Sequence, residues 1–116
     1  MNRLASVMVL VNEGPDVGRV LLLEEDNEPY FIGRDPDACR MVLRDRDVSM
    51  RHLQVMRRGP NVFVRDLLSE KGTLLGDLAL PADQDLPWTM GVPVRLGNTA
   101  MQIIPPPSAS SEDVAS

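Results

Sequence analysis

Short aliphatic runs broken by turn residues constrain this chain more than any other feature. Ser6 to Val11 is a Val-rich run of strand length, and the dense turn cluster Asn12-Glu13-Gly14-Pro15-Asp16 ends it. Val17 to Leu23, Glu28 to Ile32, Arg40 to Leu43, a longer strand approached through Val48 to His52 and running to Arg57, and Val62 to Arg65 follow in the same manner. Gly59-Pro60-Asn61 turns one strand into the next. Thr73 to Leu75, Leu78 to Leu80, Val92 to Leu96 and Thr99 to Ile104 complete the series, the last two joined by the two-residue turn Gly97-Asn98. Pro81 to Pro87 reads as loop. No segment longer than a turn keeps apolar residues at i, i+3, i+4 and i+7, while strand signals recur about every eight to twelve residues, which is the pattern of an all-β sandwich.

A chain of 116 residues is one domain with one modest core. Aromatic residues make up 3% of it, so that core must come from Val, Leu, Ile and Met, which suits short aliphatic strands better than an aromatic-lined ligand cavity. A single cysteine, Cys39, excludes an internal disulfide and gives a metal site no thiolate company; no metal or cofactor is called for. No stretch approaches the roughly eighteen apolar residues of a membrane span, and the apolar start is interrupted too early for a signal peptide, so a cytoplasmic location is the default. The domain is expected over residues 1–105. Residues 106–116, Pro-rich then small, polar and acidic, read as a disordered linker that makes the chain one part of a longer multidomain protein.

The net charge of −5 argues against direct binding to nucleic acid or to an acidic membrane. Its distribution is uneven: between Arg34 and Lys71 nine basic residues face six acidic ones. Such a concentration of arginine in an acidic protein points to a localised anion, with solvated strand faces as the competing reading. Three loops carry chemistry. After Gly33 the chain leaves a strand at Arg34, and Pro36 favours an extended Asp35. Arg44-Asp45-Arg46-Asp47 reads as an exposed charged loop leading to Ser49, and Asp66 to Gly72 forms another, with Gly72 supplying backbone freedom before Thr73. Loops from one end of a sandwich converge. A guanidinium, a hydroxyl, further basic residues and free amides would then face one small volume, the donor set a phosphomonoester dianion requires.

These residues resemble a forkhead-associated domain, a phosphothreonine-binding β-sandwich. Ile32-Gly33-Arg34, Val48-Ser49-Met50-Arg51-His52, Asp66-Leu67-Leu68-Ser69-Glu70-Lys71-Gly72-Thr73 and Leu96-Gly97 carry the resemblance, which spans Leu4 to Ile104. It implies two packed sheets of about eleven strands. It further implies that Arg34 binds the phosphate, that Ser49 donates its hydroxyl to it, and that Met50 and Arg51 flank the same group. Glu70, Lys71, Gly72 and Thr73 would meet the peptide backbone, Gly33 would let the strand end turn, and His52 would brace the loops. The implied function is non-catalytic recruitment or docking of phosphothreonine-containing proteins, or of an intramolecular phosphosegment, in Ser/Thr-kinase signalling.

Two positions depart from the family pattern. Met50 stands where a basic or polar residue is usual, leaving its backbone amide as the donor, with Arg51 one step further along and facing the other way unless the loop bends. Glu70-Lys71 stands where a small or polar residue and then Asn are usual; that Asn both donates and accepts, whereas Lys71 only donates. An alternative function is therefore a scaffold for protein assembly that has lost phosphate binding, as in secretion-ring proteins. A third possibility is a hydrolase built on Ser49, His52 and Asp66, although no nucleophile-elbow context accompanies them.

Overall fold

A computed structural model describes residues 7–105; the tail expected over 106–116 and the first residues of the domain lie outside the described residues. Eleven strands form in order: β1 (Val7–Glu13), β2 (Val20–Leu23), β3 (Tyr30–Gly33), β4 (Met41–Val42), β5 (Leu53–Arg58), β6 (Asn61–Asp66), β7 (Leu74–Leu75), β8 (Leu78–Ala79), β9 (Leu86–Trp88), β10 (Val94–Leu96) and β11 (Thr99–Ile104). They make a six-stranded sheet, β2-β1-β11-β10-β7-β8, and a five-stranded sheet, β4-β3-β5-β6-β9. Among the strands of the described residues only β3 and β4 pair in parallel, with one isolated parallel bridge between Asp66 and Ala82.

Alternation along the strands builds the core. Val7, Val9 and Val11 of β1, Leu21 and Leu23 of β2, Tyr30 and Ile32 of β3, Leu53 and Val55 of β5, and Val62 and Val64 of β6 point inward. Each such aliphatic side chain contributes about 1.5–3 kcal/mol relative to leaving it in water. Tyr30 and Trp88 join this aliphatic core, each with its polar atom satisfied: the Tyr30 hydroxyl accepts from Glu25 N–H at 3.0 Å and the Trp88 indole donates to Val92 O at 2.7 Å. A charge aimed inward from the middle of β1 would meet this core with no partner.

Strand β9 corrects the loop expected over Pro81 to Pro87. Pro87 lies inside it and is tolerated because β9 is an edge strand, bonded to β6 on one side only. A second finding concerns Arg57, one of the nine basic residues counted above between Arg34 and Lys71. It is buried, and its guanidinium donates to the carbonyls of Leu23, Glu24 and Gly59 at 2.8, 2.8 and 2.9 Å, closing the far end of the sandwich. Arg44 is likewise committed, through its backbone N–H and Nε to the buried Asp16 at 2.7 and 3.0 Å. Arg58 and Arg65 share Asp85. Four of the eight arginines of that segment are therefore committed to holding loops and strands together, and a smaller set is left for a ligand.

Candidate functional site

The loops after β3, β4 and β6 meet at one end of the sandwich, as direct hydrogen bonds between them demonstrate. Arg34 N–H donates to Ser49 O and Asp35 N–H to Met50 O, both at 3.1 Å, so the loop after β3 lies along the Ser49-Met50 backbone. Gly33 makes that approach possible. A Cβ on it would sit 2.2 Å from Met50 O, so glycine is needed there for closeness of two backbones and not, as expected, for turning the strand end. Cys39 adds a third tether: its thiol donates to Met50 O at 3.3 Å, and burial pushes its pKa up, which keeps the donating proton in place.

The sole histidine joins this assembly to the loop after β6. Ser49 N–H donates to His52 Nδ1 at 3.0 Å, so Nδ1 is an acceptor and the ring proton resides on Nε2. Nε2 lies 3.0 Å from both Gly72 O and Thr73 Oγ1 and donates to them. Thr73 Oγ1 passes its own proton to Asp66 at 2.6 Å, and Asp66 also accepts from the Ser69 N–H and hydroxyl at 3.1 and 2.5 Å. Ser69 Oγ in turn accepts from Gly72 N–H at 3.0 Å. Burial lowers the His52 pKa and keeps the ring neutral against the opposing pull of the Gly72 carbonyl and Asp66. Burial pulls Asp66 the other way, but the bonds from Ser69 and Thr73 win and hold it below the usual carboxylate range.

This network is incompatible with a serine nucleophile. The His52 nitrogen nearest Ser49 is occupied by the Ser49 backbone amide, and the Ser49 hydroxyl accepts from Glu70 N–H at 3.0 Å. His52 Nε2 and Asp66 are 3.9 Å apart, with Thr73 bonded to both. Ser49, His52 and Asp66 are near one another as braces.

Asp45 was expected on an exposed loop and is instead buried at 2% exposure. It accepts from the N–H of Asp47 and Asn98 at 3.0 and 2.6 Å and from the Thr99 hydroxyl at 2.8 Å, fastening the Ser49 loop to the β10–β11 turn. Burial alone would raise its pKa; the Asp47, Thr99 and Asn98 donors outweigh burial and lower it. The sequence signal lay in the spacing: an Asp two residues before another loop amide is a turn-forming acceptor, and Asp66, Ser69 and Gly72 repeat such a staple at intervals of three.

Of the residues expected to meet a phosphate, Arg34 is exposed and donates its Nε to Val48 O at 2.7 Å, which aims the guanidinium and leaves its terminal nitrogens without any carboxylate partner among the described residues. Ser49 keeps its hydroxyl proton, because its bond with Glu70 N–H uses only a lone pair. Met50 is 49% exposed. Arg51 lies 4.7 Å over the Phe31 ring on the outward side of β3. On the peptide side, Glu70 is exposed with no ion pair among the described residues, and Lys71 Nζ pairs with Asp47 at 3.7 Å. Gly72 adopts φ +86 with open space around it. Thr73 is buried in the network, so its side chain braces the loop and only its backbone can face a ligand. Beside these loops a groove of about 350 Å³ runs between Asp47, Lys71, Leu74 and Arg95.

Known structures share this fold. An FHA domain solved in work on phosphothreonine-dependent FHA domain interactions is 31% identical, with a TM-score of 0.71 over 84% of this chain and 94% of that one. The chain belongs to the forkhead-associated (FHA) domain family. The FhaA FHA domain, solved in complex with the intracellular domain of Rv3910, is 30% identical with a TM-score of 0.71, covering 84% of this chain and 99% of that one. The FHA domain-containing protein FhaB of Mycobacterium tuberculosis is 36% identical over 103 residues, 89% of this chain and 63% of FhaB, so the chain spans a little under two thirds of that relative. Residues 10–106 also match the family described as the inner membrane component of T3SS, cytoplasmic domain, and the chain belongs to that family as well. No helix of the described residues is long and apolar enough to cross a membrane.

Proposed function

We propose that this FHA domain is a non-catalytic module that binds phosphothreonine in a partner protein or in an attached phosphosegment, in Ser/Thr-kinase signalling on the cytoplasmic side. The observation that carries this reading is the state of Arg34: fixed through Nε, with its remaining donors uncommitted beside a hydroxyl that still holds its proton. A dianion offers acceptors only, and two nitrogens of one guanidinium match two of its oxygens. Ser49 donates from its hydroxyl, Met50 from its backbone N–H, and Arg51 adds positive charge at the flank from its seat on Phe31. Glu70, Lys71, Gly72 and the Thr73 backbone border the peptide, with exposed Met50, Leu68 and Leu74 offering apolar contact to its side chains. The phosphothreonine-dependent interactions of the similar FHA domain support the same assignment.

Titration with a phosphothreonine peptide library tests the proposal. Binding confined to phosphorylated members is expected; equal binding of unphosphorylated peptides would overturn it.

A second reading, a scaffold for assembly without phosphate, is favoured by two observations: the T3SS family match and the pairing of Lys71 with Asp47. It requires that a natural partner stay bound when Arg34 is changed to Ala.

A further inference from the structure

Four edges close the two sheets, and three are blunted. β4 and β8 are two residues long, and β9 carries Pro87. β2 is the exception: four residues, Val20-Leu21-Leu22-Leu23, with no proline and no charge, paired with β1 as its one neighbouring strand and tied at its end by Arg57 Nε to Leu23 O. Exposed, apolar edges of this kind are templates for another strand.

The same strand borders a largely apolar, half-buried face. Register places Leu22 beside Met8, and Met8 beside Ile104; the next row is Val20, Leu10 and Gln102. Val20 is 50% and Leu22 42% exposed, and Val17, at the turn leading into β2, is 62% exposed. The outward face of the other sheet is treated differently, since its aromatics Phe31 and Phe63 lie under the guanidinium groups of Arg51 and Arg58.

We infer that the chain pairs with a second copy of itself through β2, antiparallel across a two-fold axis, extending the six-stranded sheet and burying Val20 and Leu22 of both copies. Charge selects a second copy over other occupants. In a molecule of net charge −5, two copies meet without carboxylate repulsion only across an uncharged surface, which these two rows supply. The ends of β2 also complement each other: Arg19, half-exposed beside its own Asp16 at 3.5 Å, precedes the strand and Glu24-Glu25 follows it, so antiparallel pairing brings the arginine of one copy beside the glutamates of the other.

Sedimentation equilibrium of the full chain from about 10 µM to about 1 mM tests this, the range spanning weak to moderate affinity. The wild-type mass is expected to rise from 12.8 kDa toward twice that value. Leu22→Lys, at an exposed position, should weaken association at least about tenfold, while Gln54→Lys on the other sheet should leave it unchanged. Amide hydrogen exchange at Val20 and Leu22 should slow as concentration rises. A wild-type chain that stays at 12.8 kDa throughout overturns the inference, as does association that Leu22→Lys does not weaken. A monomer in which Leu22→Lys speeds exchange in residues 1–6 or 106–116 would assign the face to the chain's own ends and overturn it equally.

Discussion

The Arg34–Ser49 side of the recognition end and the Ser69–Thr73 side are joined to the same buried imidazole, yet the first keeps its cation free of carboxylates while the second ties its cation to Asp47. Bracing and binding are thus separable properties. His52 holds both sides, Asp66 the Ser69–Thr73 loop and Asp45 the Ser49 loop. What each side can hold is determined by which donors the bracing leaves unspent: two guanidinium nitrogens and a hydroxyl proton on one, a paired ammonium and an unpaired carboxylate on the other.

The largest effect should come from Arg34→Ala. Loss of a charge-assisted bidentate contact is expected to cost about 3 kcal/mol, or more than a hundredfold in affinity for a phosphothreonine peptide, with the thermal melt little changed. Fluorescence anisotropy measures it, and undiminished binding would erase the distinction between the two sides. His52→Ala should instead affect both sides together. Stranding the Ser49 amide and the Gly72 carbonyl is expected to lower stability by about 2–3 kcal/mol, read from urea unfolding.

The same residue sets the response to pH. His52 titrates below its ordinary value of 6.5 when folded, so the unfolded chain takes up a proton that the folded chain refuses. Its contribution is fully present above pH 6.5 and is lost as the pH falls below that value. Asp45 and Asp66 sit below the ordinary 3.8, so theirs is present above pH 3.8 and is lost as the pH falls further, through their folded-state values. Urea midpoints should fall first below pH 6.5, and His52→Ala should remove that step while leaving the more acidic one.

Lys71→Asn probes the weaker side. It restores a group that donates and accepts at once and is expected to raise peptide affinity about tenfold. A loss of affinity in the same titration would assign the ammonium itself a contact with the ligand. The smallest effect should be at Leu68, which holds φ +57 at 71% exposure between Asp66 and the Ser69 that Asp66 grips. Leu68→Asn should stabilise the loop by about 0.5–1 kcal/mol, because Asn tolerates left-handed backbone better than Leu.

Much of the fold could be read in the sequence because turn chemistry and period-two alternation are local. The Gly59-Pro60-Asn61 and Gly97-Asn98 turns both join antiparallel strands as expected. β9 escaped because Pro87 argues against a strand unless the strand is known to be an edge, a fact of topology that no local window contains. The bracing network escaped for a similar reason. Asp45 accepts from residues 53 and 54 positions away, and Arg57 donates to carbonyls 33 and 34 positions back. In sequence both look like ordinary surface charge. The resemblance brought out Arg34 and Ser49 in the sequence, whereas the reason for Gly33 was not legible, since the clash of an added Cβ with Met50 O exists only in three dimensions.

His52 is also the chain's one histidine, with both ring nitrogens bonded to opposite loops. Its imidazole is therefore a spectroscopic reporter that needs no assignment. An Nε2–H signal protected from solvent exchange would register both contacts at once, and its shift on adding a peptide would reveal which loop the ligand moves.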